Sequence, residues 1–159
     1  MQRRILLLLV AIAGAGFAQK YDGPRPEKPD LPYLKHADNL IPTEAAEAKE
    51  EKHKDDTLYI VEGASSSAKT PLPSPVFLFQ ADKIQPEKLT LYKLETTKTG
   101  RREILFSPKK KQNAVPIRIE VKRLSSDNLY RIEVDDTLSN GEYSLSPEGS
   151  NQVFCFQVY

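Results

Sequence analysis

A chain of 159 residues, 39% hydrophobic and 28% charged, has room for one domain, or for a small domain with a tail. Its formal net charge of +1 removes the simplest case for a nucleic-acid binder, because phosphate neutralisation needs a clear basic excess. A single cysteine excludes an intrachain disulfide, and two histidines leave little for a metal site.

Residues 1–18, MQRRILLLLVAIAGAGFA, place Arg3 and Arg4 before an unbroken apolar run, 5–13, and end on the small residues Gly14, Ala15, Gly16 and Ala18. That order is the pattern of a secretory signal peptide, and the run is well short of the roughly 20 apolar residues needed to span a bilayer. Cleavage is expected after Ala18, leaving no membrane span. The alternative is an uncleaved anchor that makes the protein a membrane-attached module. Secretion or a periplasmic location follows from the first reading. Cys155, set among Val153, Phe154 and Phe156, then reads as a buried, inert thiol.

Residues 19–56 carry five prolines and few large apolar side chains, with seven basic and ten acidic residues. Proline fixes φ and removes a donor, so 24–32 is expected to be extended and polyproline-like. The whole segment reads as an arm, a tether or a docking strip, with one short helix near 43–54 (TEAAEAKEEKHK). There Thr43 would cap free amides, Glu44 and Glu47 would sit at the positive end of the dipole, and Glu50 would pair with Lys54.

Residues 57–159 read as strands. In 116–123, Ile117, Ile119 and Val121 alternate with Arg118, Glu120 and Lys122, the period of a half-buried antiparallel strand. Leu129–Val134 repeats the pattern, with Tyr130, Ile132 and Val134 inward and a turn at 125–128 between the two. Further strands are expected at 58–62, Val76–Gln80, Leu89–Thr96, 102–107, 142–146 and Gln152–Val158. A Ser- and Pro-rich loop, 63–75, and a turn at 97–100 separate some of them. Eight short strands without helical period between them predict an all-β sandwich or barrel. A lipid-facing outer-membrane barrel is disfavoured, since the expected strands fall short of about 9–11 residues.

Leu138-Ser139-Asn140-Gly141-Glu142-Tyr143 resembles the tyrosine corner of immunoglobulin-like and fibronectin type III-like sandwiches. The resemblance implies an immunoglobulin-like antiparallel β-sandwich in which the Tyr143 hydroxyl bonds back to nearby backbone, Gly141 makes the turn and Leu138 contacts the core. The stretch 146–156 also resembles secreted bacterial proteins of uncharacterised activity, which implies no activity here.

No nucleophile elbow, phosphate loop, paired CxxC, HExxH or calcium loop occurs. His36 and His53 both fall in the arm, and no cofactor is implied. Two basic clusters are the candidate contacts: Lys98, Arg101 and Arg102 at one turn, and Lys109, Lys110 and Lys111 in a second run. Brought together, they would attract an anionic envelope polymer or a protein partner. No aromatic interleaves the lysines, which disfavours single-stranded nucleic acid. The expected role is an exported, non-catalytic binding or structural module. An envelope enzyme, or an accessory subunit of one, is the alternative.

Overall fold

The structure is a computed structural model that describes residues 20–109, 111 and 113–159. The expected signal peptide lies outside the described residues. Thirteen strands occur in chain order: β1 Pro32–His36, β2 Asn39–Pro42, β3 Glu44–Glu47, β4 Lys49–His53, β5 Asp56–Glu62, β6 Lys69–Thr70, β7 Val76–Gln80, β8 Leu89–Thr96, β9 Arg101–Phe106, β10 Ile119–Ser125, β11 Leu129–Val134, β12 Gly141–Pro147 and β13 Gln152–Val158. The only helical element among the described residues is a single 3-10 turn, Pro86–Lys88.

The strands form an all-β sandwich. One layer is a five-stranded sheet in the order β10-β11-β7-β1-β2, and the other follows the path β3-β13-β12-β8-β9-β5-β4. All pairings are antiparallel except the two-residue register of β6 on β13. The second path begins and ends on consecutive strands, because β3 and β4 are separated only by Ala48. Its two edges are therefore covalently continuous, and the layer rolls into a closed six-sided barrel.

Period-two alternation sorts each barrel strand into an inner and an outer row. On β13, Phe154, Phe156 and Val158 face out, and Val153 and Cys155 face in. The outer row of β8, β12 and β13 packs on the flat sheet, with Leu91, Tyr143, Leu145 and Phe154 meeting Leu34, Phe77, Phe79 and Ile132. Phe77 of the flat sheet and Phe156 of the barrel meet edge to face, with centroids 5.0 Å apart. The inner row forms a separate cluster of Ala48, Val61, Leu94, Ile104, Val153 and Cys155.

The Tyr143 hydroxyl donates to the Ser139 carbonyl at 2.7 Å, the bond expected of a tyrosine corner, and Leu138 is buried in the core between the layers.

Two expectations for 19–56 are corrected. The short helix near 43–54 does not form. β3 pairs with β13 and β4 pairs with β5, joined by a two-residue turn at Lys54-Asp55 in which Lys54 takes a left-handed φ of 57°. An isolated twelve-residue helix is marginal in water. As strands, the same residues satisfy backbone groups against β13 in the first half and β5 in the second, and turn small Ala46 and Ala48 into a narrow lumen. Nor is the segment a free arm, since it supplies four strands and β1 lies inside the flat sheet between β7 and β2. One strand boundary also shifts. Ile117 leaves the expected 116–123 strand and donates its amide to Leu91 of β8 at 2.8 Å, so β10 begins at Ile119.

Candidate functional site

The lumen of the barrel has two unlike ends. At one, the side chains of Glu44, Arg102 and Glu142 meet under the loop that follows β5. Arg102 is 1% exposed. Its Nε donates to the Gly63 carbonyl (2.8 Å), Nη1 to Ser66 Oγ (2.7 Å), and Nη2 to Glu44 Oε1 (2.6 Å) and the Glu62 carbonyl (2.7 Å). Gly63 has a φ of +88°, a conformation suited to glycine, which lets two consecutive carbonyls turn onto the guanidinium. Glu142 Oε2 accepts from the Ser66 amide and hydroxyl at 3.0 and 2.5 Å and lies 3.7 Å from Arg102 Nη1. Its Oε1 has no hydrogen-bond partner. This end is filled by a buried charged cluster.

The other end is open. A cavity of about 330 Å³ is lined by the inward residues of the strand ends there, Thr57 and Tyr59 of β5, Thr90 and Tyr92 of β8, and Ile104 and Phe106 of β9. Ser146 of β12 and the loop 147–151 form the remaining wall, and Ala48 and Val153 lie deeper. The strand registers explain the convergence, because Thr57 sits opposite Phe106, Tyr59 opposite Ile104 and Thr90 opposite Ser146. Opposed residues in an antiparallel ladder share a face.

Three rings dominate this mouth. Tyr59 and Tyr92 stand at 86° and 88° to Phe106, with centroid separations of 5.7 and 5.3 Å. Burial pushes the Tyr92 hydroxyl above its ordinary value of 10.0. Direct β8–β9 pairing is confined to the turn end, Glu95–Glu103 and Thr96–Arg102. Beyond it the strands are bridged by the segment 114–117, where Ala114 donates to the Leu105 carbonyl and Ile117 to the Leu91 carbonyl, each at 2.8 Å. This separation widens the mouth beside Tyr92 and Phe106.

The expected basic patch does not assemble. Lys98 and Arg101 are exposed at the plugged end, whereas Lys109 and Lys111 are exposed at the mouth end. The six residues of β9 separate them, roughly 20 Å at about 3.4 Å per residue. Arg101 lies 3.8 Å from Glu62, and Lys109 is ion-paired with Asp55. Lys110 lies outside the described residues. Arg102 is corrected as a surface contact, because alternation turns it into the lumen while Arg101 faces solvent.

The histidines stay apart from the mouth lining. His36 Nε2 is 2.8 Å from Thr70 Oγ1, and His53 is exposed at the end of β4. Among the described residues no group of three or more His, Cys, Asp or Glu is placed to hold a metal ion, and no helix is long and apolar enough to cross a membrane.

The mouth aromatics carry a signal in the sequence. Thr57-Tyr59-Val61, Thr90-Tyr92-Leu94 and Arg102-Ile104-Phe106 each form a second period-two row beside the outer one. Strands with two semi-apolar rows need cover on both faces. The plug end and the mouth end of those rows are told apart only once the registers are known. Comparison with family models, curated proteins and solved structures finds no match to this chain.

Proposed function

We propose that this protein is an exported binding module of the cell envelope whose recognition site is the aromatic mouth of the barrel. One observation carries the reading: a half-open cavity lined by three aromatic rings and several hydroxyls, on a barrel whose other end is filled by the buried Arg102 cluster. Ligand sites favour concave, mostly apolar pockets with a few convergent polar groups, including the mouths of β-barrels. The rings stand on strands rather than loops, so the site is held in shape before a ligand arrives. The immunoglobulin-like resemblance and the export signal support a module that works outside the cytoplasm. The first rests on the Tyr143 corner and the second on residues 1–18.

The uncharged dye N-phenylnaphthylamine tests the site. Its fluorescence should rise and saturate at one dye per chain. Thr90→Phe, which fills the mouth from a half-buried strand position, should abolish the rise while leaving the far-ultraviolet circular dichroism unchanged. Equal binding by that folded variant would overturn the assignment of the mouth. Export is tested by the intact mass of chain recovered from the exported fraction. A product beginning at Gln19 supports it, and retention of 1–18 overturns it.

A further inference from the structure

We infer that the mouth selects an organic cation, an ammonium group carrying methyl or methylene substituents, over neutral and anionic molecules of the same shape. The inference rests on the mouth being the recognition site.

Three features lead to it. The first is the ring geometry. Tyr59 and Tyr92 stand nearly perpendicular to Phe106, so the rings form a corner and not a flat platform. A saccharide stacks its flat face on one open ring, whereas a corner of rings surrounds a compact group. Aromatic faces carry negative potential, attract cations and repel anions.

The second is charge. Among the described residues, Glu148 is the only charged one lining the cavity. It is exposed on the loop wall, where its carboxylate can neutralise a bound cation without itself being buried. Two lysines at this end of the barrel are ion-paired. Lys52, on the same face of β4 as the mouth, lies 2.9 Å from Glu50, which holds its ammonium above the usual lysine range. Lys109 is held by Asp55.

The third is the polar supply. Thr57, Thr90, Ser146 and the tyrosine hydroxyls place oxygen around the pocket, and hydroxyl lone pairs can face a bound cation whether or not it carries an N–H. A substituted ammonium gains from the rings through its carbon substituents and from the oxygens through its charge. A bare metal ion, which demands several fixed oxygen ligands, gains little from the rings.

The test uses the full chain and three probes of one shape: choline, its uncharged isostere with a tert-butyl group in place of trimethylammonium, and the corresponding tert-butyl carboxylate. Binding is read by titration calorimetry and by tyrosine ring resonances at physiological ionic strength. Choline should bind about five- to tenfold more tightly than the alcohol, the range of a partly desolvated cation–π contact, and the carboxylate should bind least. Glu148→Gln, at an exposed position, should weaken choline several-fold and leave the alcohol unchanged. Phe106→Leu should weaken choline more than the alcohol.

Equal affinity for choline and the alcohol, or preference for the carboxylate, would overturn the cation inference while leaving the mouth a binding site. Binding of N-phenylnaphthylamine without choline would do the same. Loss of dye binding together with all three probes would instead remove the mouth as a site.

Discussion

Arg102 Nη2 and Glu44 Oε1, 2.6 Å apart, join β9 to β3 across the lumen of the barrel. The two strands are not neighbours in the sheet, so the contact is made only because the layer has rolled up. The guanidinium is fully enclosed, and its partners come from β3, β12, the end of β5 and the loop after it. A charge enclosed this way costs several kcal/mol to desolvate, and that cost is offset only while its partners remain in place.

Replacing Arg102 is therefore expected to be among the most damaging single changes in the protein. Arg102→Met leaves Glu44 and Glu142 facing one another without a counter-charge and should cost about 3–5 kcal/mol. Arg102→Lys keeps the charge but loses the planar fork that serves four acceptors, and should fall between the two. Adding Glu44→Gln and Glu142→Gln to Arg102→Met should recover part of the loss. Urea midpoints followed by circular dichroism would show this order. A loss below about 1 kcal/mol for Arg102→Met would mean that the plug does not hold the barrel closed.

Tyr143 bridges two kinds of interaction. Its ring stacks on Phe156 at 5.6 Å and 21°, and its hydroxyl donates to the Ser139 carbonyl at 2.7 Å. Tyr143→Phe removes only the second and should cost about 1 kcal/mol, the net worth of one hydrogen bond. Tyr143→Ala removes both and opens the core between the layers, costing about 3–5 kcal/mol. A thermal melt that places the two variants together would assign the residue to packing alone.

The strands were the most legible part of this fold. Val76–Gln80, Leu89–Thr96, Leu129–Val134 and Gln152–Val158 announce themselves because large apolar residues recur at period two or fill both rows. The segment 43–54 was misleading for a physical reason. Ala, Glu and Lys are good helix formers, yet propensity amounts to tenths of a kcal/mol per residue, and the ladders to β13 and β5 outweigh it. Burial of Arg102 beside exposed Arg101 is a matter of strand phase, which one residue of uncertainty inverts. Barrel closure through Ala48, and with it the meeting of Tyr59, Tyr92 and Phe106, depends on pairings between segments far apart in the chain. No local pattern encodes those pairings.

Asp30 ties the entry of β1 to the segment after β7. It takes a left-handed φ of 56° and accepts backbone amides from Asp82, Lys83 and Ile84 at 2.9–3.0 Å. Partial burial pushes its carboxyl up, but those three amides and the nearby Lys83 charge together hold it below the ordinary value of 3.8. A carboxylate depressed on folding adds stability that is present above pH 3.8 and is lost as pH falls through the lower folded value. Asp30→Asn keeps the shape and removes the charge. It should lower the unfolding midpoint at pH 7 and flatten the loss of stability below pH 4. Parallel acid titrations of the two proteins would place Asp30 elsewhere if the curves kept a constant offset.

Cys155 gives the opposite sign at the alkaline end. It lies in the inner row of β13, 0% exposed, opposite Glu44 on β3 and Ser144 on β12. Burial pushes the thiol from 9.0 up to about 12, with Glu44 and Glu142 adding to the rise and Arg102 opposing it. The folded protein therefore keeps its proton through a range in which the unfolded chain loses it. This group's contribution is fully present below pH 9 and declines as pH rises toward 12, at a slope of at most about 1.4 kcal/mol per pH unit. Cys155→Ala should flatten that decline, at the expense of a small cavity. The native thiol should also resist iodoacetamide at pH 8 and react once guanidinium unfolds the chain, because the thiolate is the reactive form. Rapid alkylation of the native protein would show that the lumen opens beside Cys155, and with it that the Arg102 plug and the mouth do not enclose a continuous packed interior.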